Sequence, residues 1–106
     1  MQTQQLVDFI TDKLDDIKGR DIVTIDVRGK SSVTEFMIVC SGTSNRHTKS
    51  VAGYVANEIK KQGIQPLGIE GETTGEWVLL DLGEVIVHVM LEESRSFYQL
   101  EKLWSA

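Results

Sequence analysis

The stretch that most constrains this chain is "EWVLLDLGEVIVHVML", residues 76–91. A Gly-Glu pair lies at its middle, so a tight turn at Gly83-Glu84 brings Leu82 opposite Val85 and folds the segment into a β-hairpin. Side chains along a strand alternate between faces, and that period sorts the hairpin into two sets. Val78, Leu80, Leu82, Val85, Val87 and Val89 fall on one side, all of them aliphatic. Trp77, Leu79, Asp81, Ile86, His88 and Met90 fall on the other. The first set is a core face that has to pack on helices. The second mixes aromatic, thioether, imidazole and carboxylate groups, which suits a face that meets a partner. The alternative is that a helix covers this face too, with His88 bonded to Asp81 or to backbone.

The remaining segments supply the helices. Leu6, Phe9, Ile10, Leu14 and Ile17 recur at helical spacing, and Gly19 stands where a helix C-cap would. "DIVTIDV" (21–27) alternates and is rich in β-branched residues, so it reads as a strand. "RGKSS" is a turn, and "EFMIVCS" (35–41) reads as a buried strand. From an N-cap at Ser44, the residues Val51, Ala52, Val55, Ala56 and Ile59 mark one face of a helix that ends near Gly63. "QPLGIEG" is a short strand or an extended link, and Phe97, Leu100, Leu103 and Trp104 mark a short C-terminal helix. The order α-β-β-α-β-β-β-α predicts one α/β layer structure over residues 1–106, a mixed sheet with helices on one main face.

Composition excludes several classes of function. The chain has 16 acidic against 11 basic residues, a formal charge of −5, so it is not built to grip nucleic acid by charge alone. No apolar run is long enough to cross a membrane, and "MQTQQLVDFITDKL" lacks the features of a secretory signal. A single cysteine makes no internal disulfide, so the expected setting is the reducing cytoplasm, with Cys40 an inert thiol in an apolar strand.

The stretch "CSGTSNRHTKS" (40–50) has the strand, small-residue turn and helix start of many anion sites. A nucleotidyltransferase would add an Asp-x-Asp pair on an adjacent strand to hold Mg²⁺, and none follows the turn. "RGKSS" lacks the leading glycine of a phosphate loop. A nucleotide-binding enzyme using Gly42, Thr43 and Ser44 is therefore the rival reading, weaker than a plain capped helix. His47, His88 and Cys40 lack metal-ligand or nucleophile spacing, and Asp81 with His88 is an acid–base pair without a nucleophile. His47, in the first turn of its helix, is disfavoured as a cation and is expected to cap or pack.

"GKSSVTEFMIVCSGTSNRH", "PLGIEG", "WVLLDLGEVIVHVM" and "ESRSFYQLEKLW" occur in an order and spacing that resembles the Iojap-like ribosomal silencing factors, from about Leu6 to Trp104. Glu35 and Glu84 stand where Asp is common in that family, and both swaps keep the charge. The resemblance implies a nucleotidyltransferase-like fold without catalytic acids, no enzyme activity and no cofactor or metal. It also implies a homodimer that binds the large ribosomal subunit at ribosomal protein number fourteen, on the face that meets the small subunit, and so represses translation when nutrients are scarce. Within that picture the expected contact residues are Trp77, Leu79, Asp81, His88 and Met90 on the mixed hairpin face. Arg95 and Tyr98 lie beyond its end. That placement follows from alternation along the strands.

Overall fold

The computed structural model describes residues 1–105. In chain order it contains α1 (Thr3–Asp16), β1 (Arg20–Asp26), β2 (Phe36–Gly42), α2 (Asn45–Lys61), β3 (Gly68–Glu70), β4 (Trp77–Asp81), β5 (Val85–Leu91), α3 (Glu92–Tyr98) and α4 (Leu100–Ser105). The strands form one five-stranded sheet in the order β1-β2-β5-β4-β3. β2 and β5 run parallel at its centre, and every other pairing is antiparallel. The predicted mixed sheet is therefore present. Central parallel strands are covered on both faces, which is why all seven residues of β2, Phe36–Gly42, are buried.

The hairpin folds with the expected register. Leu82 N–H donates to the Val85 carbonyl (3.0 Å), and Trp77, Leu79 and Asp81 pair with Met90, His88 and Ile86. Gly83 holds φ +83° in the turn, a conformation that favours glycine, and its N–H donates to Asp81 Oδ1 (2.9 Å). The aliphatic set is 0% to 8% exposed and packs on Leu6, Val7, Ile10 and Leu14 of α1 and on Val51, Val55 and Ile59 of α2.

Two local expectations change. The end of α1 is a Schellman motif in which Lys18 N–H donates to Asp15 O (3.0 Å) and Gly19 N–H to Leu14 O (2.8 Å). The left-handed residue is Lys18 (φ 63°), not Gly19. Gly19 is a glycine for another reason: a Cβ there would lie 3.0 Å from the Leu14 carbonyl oxygen and 3.4 Å from Cys40 Sγ. A side chain in the left-handed region costs about 1–2 kcal/mol, partly offset by the extra freedom glycine loses on folding. Lys18→Gly should therefore stabilise the chain by about 0.5–1 kcal/mol, read as a higher urea midpoint. An unmoved midpoint would show that position 18 carries no strain.

The C-terminal segment is also two helices rather than one. Gln99 adopts φ 50° and breaks the chain between α3 and α4. The break turns α4 back over the second sheet face, where Leu100 and Trp104 pack on Ile25, Val27, Met37, Val39 and Met90. The end of α4 is tied down by Lys30 Nζ, which donates to the Trp104 carbonyl (3.0 Å). Helices thus cover both faces, fully on the α1/α2 side and in part on the other.

Candidate functional site

The second sheet face divides where α4 stops. Under α4 it is dry core. Beyond it, on β4 and the near end of β5, Trp77, Leu79, Asp81 and Ile86 remain partly exposed. A shallow depression lined by Glu70, Gly71, Trp77 and Leu79 runs from them to the β3 edge. On the opposite side α3 adds two aromatic rings, with Phe97 80% and Tyr98 52% exposed. The Tyr98 ring lies 4.7 Å from the Trp77 ring, and Phe97 meets Tyr98 edge-on at 5.1 Å. Tilted and edge-on contacts at these distances are the favourable aromatic geometries. The result is an aromatic ledge of Trp77, Tyr98 and Phe97 beside an aliphatic floor of Leu79 and Ile86, rimmed by Glu70 and Asp81. Phe97 was expected in one C-terminal helix with Leu100, Leu103 and Trp104. The break at Gln99 puts it outside instead, and no period in the sequence signals that break.

Three of the expected contact residues are not at the surface. His88 is 4%, Met90 0% and Arg95 8% exposed. Met90 lies under Trp77, its strand partner, in the cluster that α4 covers. Arg95 points inward from α3. Its Nε donates to Glu101 Oε1 (2.6 Å), and its Nη1 donates to Ser41 Oγ (2.9 Å) and the Arg20 carbonyl (3.4 Å). It clamps α3, α4, β1 and β2 together, and truncating it would strand a buried hydroxyl and a carboxylate. His88 accepts the Trp77 indole N–H at Nδ1 (3.0 Å), while its buried Nε2 has no partner among the described residues. Asp81 does not pair with His88, because its carboxylate caps the turn at Gly83 and its strand partner is Ile86. Of the expected contact residues, Trp77, Leu79, Asp81 and Tyr98 are accessible, and the partly exposed Ile86 and the exposed Phe97 lie beside them. The alternation that placed Ile86 on the mixed face was the available signal for it.

The Gly-Thr-Ser turn is a capped helix start. Ser44 is extended (φ −157°, ψ 167°), and its Oγ accepts from His47 N–H (3.0 Å). The His47 ring accepts from Thr43 N–H at Nδ1 (2.9 Å) and lies 3.0 Å from the Ile17 carbonyl through Nε2, so it bridges the turn and the end of α1. The Thr43 amide that would face a phosphate is already taken. Gly42 is needed for close approach of α2, since a Cβ there would lie 2.5 Å from Thr48 Cγ2. The cleft in front of the turn is lined by Glu92 and Glu93 as well as Arg20, and two carboxylates oppose an incoming polyphosphate. Ser44→Ala should cost about 1 kcal/mol of stability through the lost cap, read as a lower urea midpoint. Cys40 is fully buried, and burial pushes its thiol up to about 12, so it is no nucleophile at neutral pH. No helix among the described residues is long and apolar enough to cross a membrane.

Comparison with known proteins places this architecture. The chain is 50% identical over 100 residues to the Ribosomal silencing factor RsfS of Haemophilus influenzae, covering 94% of this chain and 98% of that one. A crystal structure of a Chromobacterium violaceum protein superposes with a TM-score of 0.96 at 42% identity, covering 98% of this chain and 87% of the other. The mouse protein "Mitochondrial assembly of ribosomal large subunit protein 1" is 32% identical over 102 residues, covering 93% of this chain and 45% of its own length. The family described as "Ribosomal silencing factor during starvation" matches residues 1–106, and this chain belongs to it.

Proposed function

We propose that the protein binds the large ribosomal subunit at ribosomal protein number fourteen and, by its bulk, blocks joining of the small subunit. The observation that carries this reading is the aromatic ledge: a half-open apolar face on a chain of this family, with carboxylates at its rim. Aromatic residues supply most of the binding energy at protein interfaces. A rim of acids and a formal charge of −5 favour a basic protein partner and disfavour indiscriminate contact with rRNA. The mouse relative's name, which speaks of large-subunit assembly, points to the same partner. A steric block needs no bond making, so in this reading the chain acts without catalysis; the family resemblance adds a homodimer working in the cytoplasm.

The test is sedimentation through a sucrose gradient. The protein should travel with isolated large subunits and not with small ones. Added before the two are mixed, it should reduce the yield of joined ribosomes. Free protein at the top of every gradient would end the proposal. Transfer of a labelled nucleotide in the presence of Mg²⁺ would replace it with the enzyme reading.

A further inference from the structure

His88 differs from the other histidine of the chain in a way that asks for a reason. His47 has a hydrogen-bond partner at each ring nitrogen. Among the described residues His88, 4% exposed, has one, with Nε2 buried and unpaired. An unsatisfied buried donor is destabilising, and a leucine of similar bulk would avoid that cost. What the imidazole does that leucine cannot is accept. Its Nδ1 receives the indole N–H of Trp77 across the strands, from the diagonal position two residues before its direct partner Leu79. The rings stand 5.8 Å apart at 49°. Tyr98 touches the indole from α3 at 4.7 Å. The Trp77 side chain, only partly buried, is thus held by one hydrogen bond, the Tyr98 ring and packing over Met90. Its remaining surface is left facing the depression that holds Leu79 and Glu70.

We infer that His88 is a positioning residue for the docking face: through its Nδ1 it holds the Trp77 indole in the orientation that the partner meets. The inference rests on the docking role proposed above and adds how the ledge is kept ready. A tryptophan free to turn at the surface would have to be ordered on binding, and ordering one large side chain costs enough to lower affinity several-fold. A pre-fixed indole avoids that loss. His88 cannot act as a direct contact, since its free nitrogen has no exposed surface. Burial pushes the imidazole down to about 4, so the accepting nitrogen is present throughout neutral pH.

Variants of the full chain test this, each read by the indole N–H signals in a ¹⁵N spectrum and by co-sedimentation with purified large subunits. Trp77 and Trp104 are the two tryptophans, and Trp77→Phe assigns their signals. His88→Leu should shift the Trp77 signal and speed its solvent exchange, leave the Trp104 signal in place, and weaken binding about fivefold to tenfold. His88→Asn, whose Oδ1 falls where Nδ1 was, should return binding to within about twofold of the wild type. Trp77→Phe keeps a ring and removes the N–H, so it should lose affinity with His88 intact and show no further loss when combined with His88→Leu. That variant decides the matter even if the substitutions at 88 do not fold. Normal binding by His88→Leu or by Trp77→Phe, alongside weak binding by Trp77→Ala, would overturn the positioning role and leave the docking reading standing. Normal binding by Trp77→Ala would overturn the positioning role and take the contact off Trp77, whereas a wild-type chain that stays at the top of the gradient would end the docking reading itself.

Discussion

Trp77→Ala will lower affinity for isolated large ribosomal subunits by roughly thirtyfold while leaving the chain folded. A tryptophan near the centre of an interface is commonly worth about 2 kcal/mol or more, which is that factor in a dissociation constant. Trp77 is half-exposed, lies against Tyr98 and borders the depression with Leu79. The fold should survive because the aliphatic core on the other sheet face does not involve it. Some stability will be lost, since the indole also packs over Met90 and its removal leaves His88 Nδ1 unpaired. Trp104→Ala is the control that separates the two effects. Trp104 packs on the same cluster from α4, so it should cost stability without a comparable loss of binding. Equal binding losses from both variants would mean that the cluster as a whole matters and the ledge does not. Normal binding by Trp77→Ala would move the contact to Phe97 and Tyr98 or away from this face.

The second large effect is on stability against acid. Burial drives the His88 imidazole from 6.5 down to about 4. The folded state therefore binds this proton less readily than the unfolded chain does. Stability from keeping the ring neutral is complete above pH 6.5, declines as pH falls, and is fully lost below about pH 4. A shift of this size corresponds to about 3 kcal/mol. The neighbours do not counter it, because Val39 and Leu79, its strand partners, are apolar and Asp81 is turned to the Gly83 amide. Protonation also makes Nδ1 a donor, so it breaks the bond from Trp77. Urea midpoints measured from pH 7.5 to 4 should fall steeply for the wild type and much less for His88→Leu. Parallel pH curves would assign the acid sensitivity to other groups. Asp26 is one such group, but its shift acts at lower pH: hydrogen bonds from Arg28 hold its carboxyl at about 2.

Much of this protein was determined by short-range pattern. Alternation along residues 76–91 separated the six aliphatic side chains that became core from the six that became the second face. The Gly-Thr-Ser stretch read correctly as a capped helix start, because Ser44 needs only the backbone three residues on to act as a cap. Period and capping are local properties, and a sequence states them directly.

Tertiary structure decided which part of the second face is open. Strand alternation says that Met90 and Leu79 share a side; it cannot say that α4 returns to cover one and not the other. That return depends on a left-handed Gln99 and on contacts with β1 and Lys30, far away in the chain. The same holds for Arg95, which reads as a surface cation but is drawn inward by Ser41, Arg20 and Glu101. His88 carries the point furthest. Its place opposite Leu79 was legible, but its role rests on an acceptor nitrogen meeting one indole N–H across two strands. A pattern gives the face on which a side chain lies, and only the folded chain sets the partner it reaches there.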